Sequence, residues 1–215
     1  MKNLLFICAW MMLISSCRST ELIGSWARED TEPKKFKEIG VVVLTPNMSG
    51  RSIVEVDIAT VLHQKGIKGT PTFDIFPFAA KRELFSDVEA EEMRQKIKER
   101  VEKFGFDGLL IVAILNQETE TRYNQGSSFS FAYPAYQYNY YGYYQYAYAT
   151  IHTPGYYSTT TTYFLESNLY DVASEGLIWT AQTKTKKKAS SIHKESEVFA
   201  NIIAQELLKD KALQP

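Results

Sequence analysis

Few residues of this 215-residue chain have the type and spacing that chemistry demands. Its histidines, His63, His152 and His193, are scattered, and none has another His at i+4 to make a helical zinc pair. No Gly-x-Ser-x-Gly elbow, Walker loop or Gly-x-Gly-x-x-Gly turn occurs. Glu89, Glu91, Glu92, Glu99 and Glu102 are interleaved with Arg94, Lys96, Lys98, Arg100 and Lys103. That is a solvated helix face, not a buried acid–base pair. Lys184, Lys186, Lys187 and Lys188 form a short basic run, read as a solvated strand end that discourages edge pairing. The chain is therefore expected to be no enzyme and to need no metal and no small-molecule cofactor. With 24 basic and 25 acidic residues it also lacks the basic excess of a nucleic-acid binder. Two features remain: Cys17 and an accumulation of tyrosine.

The chain has 14 tyrosines. Tyr136, Tyr138, Tyr140, Tyr141, Tyr143, Tyr144, Tyr146 and Tyr148 crowd into one stretch. From Tyr123 to Leu165 there is no Asp, Glu, Lys or Arg, although 23% of the chain is charged. Three readings fit this tract. It could be a mobile low-complexity loop. It could be a binding surface, because tyrosine offers area, a low entropy cost and a hydroxyl, which suits a protein or a glycan. It could also sit at a membrane interface, where aromatic rings concentrate. The eight tyrosines are the candidate contact residues.

Cys17 closes a leader. Lys2 precedes an apolar run, Leu4 to Ile14, followed by Ser15 and Ser16. This is a signal-peptide layout, and the run is too short to span a bilayer, which takes about 20 apolar residues. Ile14-Ser15-Ser16-Cys17 resembles a bacterial lipobox. The resemblance implies cleavage before Cys17 and diacylation of its sulfur, with palmitate-type chains holding the protein on a membrane. Cys8 leaves with the leader, so no disulfide can form in the mature chain. In the enterobacterial sorting pattern an Asp after the cysteine retains a protein in the inner membrane; Arg18 stands there instead, so the resemblance implies the outer membrane, and the periplasmic side is the expected facing.

The elements that must position these features follow from periodicity. Residues 1–16 are the leader and 17–38 a lipidated tether without clean period, of typical span about 25 Å. A single domain is expected over 39–213, with 123–162 as its uncharged insert. Ile39 to Leu44 reads as a buried strand. Val54, Ile58, Val61 and Leu62 mark a helix closed at Gly66, and a short extended piece follows from Thr70 to Phe76, whose prolines, Pro71 and Pro77, favour an edge position. Ser86 to Glu89 has capping-box form and opens a helix ending at Gly105. Leu109 to Leu115 reads as a central strand whose polar continuation to Arg122 projects beyond the core. Period two over Tyr163–Leu169 and Leu177–Thr183, around a turn at 171–176, gives a hairpin. Ser191 opens a last helix with Phe199, Ile202, Ile203 and Leu207 as its stripe. The fold class is α/β: a mixed sheet in β-α-β-α-β then β-β-α order, with helices mainly on one face and a long Tyr-rich insert before the closing hairpin.

Three passages carry a family resemblance: Gly40 to Leu44, Phe106 to Val112, and Glu166 to Trp179. The chain is similar to small bacterial envelope lipoproteins of mostly unknown function, whose layout resembles the amino-terminal domain of TolB and the core of curli-secretion lipoproteins. The resemblance implies an α/β sandwich in an envelope adaptor or assembly role and supplies no catalytic residues. The expected partners are a membrane, through acylated Cys17, and an envelope protein. The alternative is a module that binds cell-wall or polysaccharide glycan.

Overall fold

The structure is a computed structural model that describes residues 19–29, 33–45, 47–76, 87–124, 156–188 and 192–214. In chain order its elements are β1 (Thr20–Ala27), β2 (Ile39–Leu44), α1 (Met48–Gln64), β3 (Gly69–Pro71), α2 (Asp87–Phe104), β4 (Gly108–Asn124), β5 (Tyr156–Asp171), β6 (Gly176–Lys188) and α3 (Ile192–Lys209). The strands form one mixed sheet in the order β1-β6-β5-β4-β2-β3.

β2 is parallel to β3 on one side and to β4 on the other. Right-handed crossovers leaving β2 and returning past it must therefore lie on opposite faces. That is where the helices are. On one face Ile58 and Leu62 of α1 and Phe199, Ile203 and Leu207 of α3 bury Val41, Leu110, Leu169 and Trp179 of the sheet. On the other, Ile97 and Val101 of α2 pack with Val42, Phe76, Phe106 and Ile111. Two of the three described helices thus share a face.

Local chemistry sets the ends. The Asn47 side chain accepts from the Gly50 amide at 2.9 Å and caps α1. Gly66 and Gly105 take φ of 80° and 69° where α1 and α2 stop. The next residue folds back in each case: Ile67 N–H donates to Leu62 at 3.0 Å and Phe106 N–H to Val101 at 3.2 Å. Ser86, the expected cap of α2, lies outside the described residues.

The segment read as a tether departs from that reading. Thr20–Ala27 pairs antiparallel with β6 as an edge strand. Phe36 is buried in the main core, and the amides of Lys37 and Glu38 donate to the Asp107 carboxylate at 2.9–3.1 Å. The sequence carries no clear strand period here because a register shift between Leu22 and Gly24 breaks the two-residue alternation in a strand already interrupted by glycine. The insert's outer parts are also regular: β4 and β5 stay paired out to Asn124 and Tyr156. Residues 125–155 lie outside the described residues.

Candidate functional site

Cys17 and the eight candidate tyrosines from Tyr136 to Tyr148 all lie outside the described residues. What is described is the frame that carries them. β4 and β5 form a long ribbon. β2 stops at Leu44, opposite Ala113 of β4, and β6 stops at Lys188, opposite Thr160 of β5. Beyond Ala113 the ribbon continues to Asn124, which is about 35 Å at about 3.3 Å per residue.

The ribbon has two unlike faces. A bulge at Leu115 shifts the alternation of β4, so that Gln117, Thr119, Thr121 and Tyr123 continue the face of the sheet that carries α1 and α3. Their partners there are Tyr163, Thr161, Thr159 and Tyr157. The hydroxyls of Thr119 and Thr161, and of Thr121 and Thr159, lie 3.4 Å apart, and the rings of Tyr123 and Tyr157 sit 5.0 Å apart at a tilt. Both rings are exposed, at 58% and 73%. The opposite face carries Glu118, Glu120 and Arg122, and Arg122 donates to Glu120 at 2.9 Å.

At the root of the uncharged face is a cavity of about 400 Å³. β2 and β6 end there, and α1 and α3 begin there. Val43, Val54, Ile114, Leu165 and Phe199 give it apolar walls, and Tyr163, Thr185, Lys187, Glu195 and Ser196 add polar ones. One carboxylate oxygen of Glu195 and the hydroxyl of Ser196 are buried without a hydrogen-bond partner. An apolar pocket with a few polar groups can hold a small amphipathic group. Glu195, Ser196 and Lys187 do not form a nucleophile–base pair by any hydrogen bond the structure shows.

Sequence reasoning missed one buried charged cluster. Arg51 and Glu55 of α1 are 1% and 0% exposed, with Arg51 Nε donating to Glu55 Oε1 at 2.8 Å. Glu55 also accepts from the Val43 amide at 2.9 Å and the Thr72 amide at 2.7 Å. Arg51 donates to the carbonyl oxygens of Phe76 at 2.8 Å and Thr72 at 3.3 Å. Both side chains are spent on β2 and the chain after β3, so the pair is a clamp rather than a reactive group. Its signal was present: positions 51 and 55 fall on the same helical face as Ile58 and Leu62.

The histidines do not assemble. His63 is exposed, His152 lies outside the described residues, and His193 Nδ1 sits 3.8 Å from Asp57 Oδ2. Among the described residues no group of three His, Cys, Asp or Glu could hold a metal, and no helix is long and apolar enough to cross a membrane. Lys184 lies 5.5 Å above the Phe164 ring, so the basic run is partly packed along its stems.

No protein family and no curated protein matches the chain. Among solved structures it is similar to the PelC dodecamer from Paraburkholderia phytofirmans, with a TM-score of 0.43 and 13% identity over 91% of this chain and 99% of that one. It is also similar to lipoprotein GNA1162 from Neisseria meningitidis, with a TM-score of 0.38 and 12% identity over 80% and 98% of the two chains. At these scores the likenesses carry no argument about the role of this chain.

Proposed function

We propose that this protein is a lipid-anchored, non-enzymatic adaptor of the bacterial envelope, held on the outer membrane by acylated Cys17. Its projecting ribbon would present the Tyr-rich segment to a partner. The observation that supports this reading most is the ribbon itself. From Thr119 to Asn124 the paired strands run about 17 Å without serving the core, because Thr119, Thr121 and Tyr123 stand exposed with nothing packed on them. An arm that burial does not explain, ending at an uncharged aromatic tract, is a means of contact. The leader and lipobox supply the address, and the spent state of Arg51 and Glu55 leaves no reactive pair in the most polar part of the core.

The test is crosslinking in cells followed by affinity purification. The full protein is compared with a variant in which 125–155 is replaced by Asn-Gly, the turn that suits a two-residue hairpin. Loss of a specific envelope partner supports the adaptor reading. An unchanged partner set moves the function to the body of the domain.

A glycan-binding role is the second reading, favoured by one observation. The ribbon's face on the α1 and α3 side is a ladder of threonine hydroxyl pairs ending in two tyrosine rings. Such a face can accept sugar hydroxyls and stack on sugar rings. Retention on purified sacculi or polysaccharide, lost in Tyr123→Ala/Tyr157→Ala, would favour it over the adaptor.

A further inference from the structure

The direction of β1 settles which way the ribbon points relative to the anchor. β1 runs antiparallel to β6, and Thr20 pairs with Thr185, which pairs with Tyr163, which pairs with Gln117. The chain therefore enters the sheet at the end from which the ribbon projects. Ser19 extends this pairing, accepting from the Lys186 amide at 2.8 Å. Only Arg18 separates that hydrogen-bonded residue from Cys17. Two residues reach at most about 7 Å, whereas the ribbon from Glu118 to Asn124 runs about 20 Å in the same direction.

From this geometry we infer that the ribbon end, with its Tyr123–Tyr157 ring pair, lies in the interface of the same bilayer that holds Cys17. The inference rests on the anchoring at Cys17 and deepens the proposed function by naming what the arm meets first: a lipid surface, not a partner across the periplasm. The opposite orientation, with the 171–176 turn towards the membrane, would require Cys17 to reach back along the whole of β1, about 26 Å. The chemistry of this end agrees. Exposed tyrosines favour the headgroup region, and exposed Lys186 on the neighbouring strand favours anionic headgroups. Glu118, Glu120 and Arg122 on the other ribbon face make entry into hydrocarbon costly. The ribbon outreaches the anchor by about 13 Å, roughly twice the depth of one headgroup layer, so the sheet stands tilted with the ribbon end resting in that layer.

The test uses the mature lipoprotein reconstituted into phosphatidylethanolamine–phosphatidylglycerol vesicles. With Cys8 removed and Cys17 acylated, an introduced cysteine is the single free thiol. Thr121→Cys reports on the ribbon, Ser174→Cys on the far turn and Ser25→Cys on the β1 edge, all exposed positions. Each is labelled with a fluorophore, then quenched by aqueous iodide or by lipids bearing a doxyl group. The expected result is several-fold weaker iodide quenching at 121 than at 174, with strong doxyl quenching at 121 alone. Doxyl quenching at 25 and not at 121 would mean that the β1 edge docks, and would overturn the inference. So would equal iodide quenching at 121 and 174, or shielding at 121 without doxyl quenching, the mark of a protein contact. Failure of the protein to float with the vesicles overturns the anchoring itself, which keeps the two failures distinct.

Discussion

The hydroxyls of Thr20 and Thr185 meet 3.0 Å apart in the interior, joining the first strand of the sheet to the strand before the last helix. Both residues are buried, so each hydroxyl relies on the other. Removing one leaves a buried polar group without its partner, at a cost of about 1–3 kcal/mol, whereas replacing both by an apolar shape is close to neutral. Thr20→Val and Thr185→Val should each lower the urea midpoint, and the double variant should recover much of the loss. A double variant as weak as the sum of the two would show that the hydroxyls act independently.

Arg51→Met should be among the most damaging single changes in the domain. It strands the Glu55 carboxylate in a site with no solvent, and breaking a buried ion pair this way costs about 3–5 kcal/mol. Arg51→Met/Glu55→Leu should recover only part, because the Val43 and Thr72 amides then lose their acceptor. Thermal unfolding of the three proteins measures this; full recovery in the double variant would mean that those amides find other partners.

Asp171, at the turn after β5, gives stability a dependence on acid. Burial pushes its carboxyl up, but the paired Lys34 ammonium and the Ser174 hydroxyl and amide outweigh that and hold it below the usual value of 3.8. A carboxyl lowered on folding contributes stability that is complete above its unfolded pKa, near 4, and fades as pH falls through the folded value. The unfolding free energy should therefore drop as pH falls below about 4, and Asp171→Asn should flatten that drop. An unchanged slope in the variant would assign the acid sensitivity to other carboxylates.

Cys17→Ala should abolish incorporation of labelled palmitate and release the protein from membranes on fractionation. Label entering that variant would mean that the acylated residue lies elsewhere.

Much of the frame was legible because burial writes periodicity into the chain. Ile39–Leu44 is apolar throughout because both its faces are covered, the Ile58–Leu62 and Phe199–Leu207 stripes each bury one face, the 171–176 turn falls where the alternation of its two strands stops, and each stands where its spacing put it. β1 was not legible, because its bulge and Gly24 erase the alternation. The enclosure of Arg51 and Glu55 was not legible either, because an i, i+4 ion pair usually marks a solvated face, and only the sheet above reveals that this one is enclosed. At the candidate site, residue chemistry pointed to Cys17 and the tyrosines. Their relative placement depends on which end of the sheet β1 enters, and no local pattern encodes that.

Where the insert can be cut follows from the pairing. A deletion of 133–157 would remove Tyr156 and Tyr157, the partners of Asn124 and Tyr123, and leave the end of β4 without its neighbour. Replacement of 125–155 by Asn-Gly keeps the rows through Asn124 and Tyr156 and joins them by the turn their twist favours. The core residues of β4 and β5, Leu110, Val112 and Leu169, lie at the opposite end of the strands, so the second variant should unfold cooperatively at nearly the parent midpoint. The first should keep that core too, but lose protection of the amides at 123 and 124 in hydrogen exchange, since a strand end without a partner opens locally. If the Asn-Gly variant instead unfolds without cooperativity, residues 125–155 contribute to the core, and the ribbon is a passage into further structure rather than an arm.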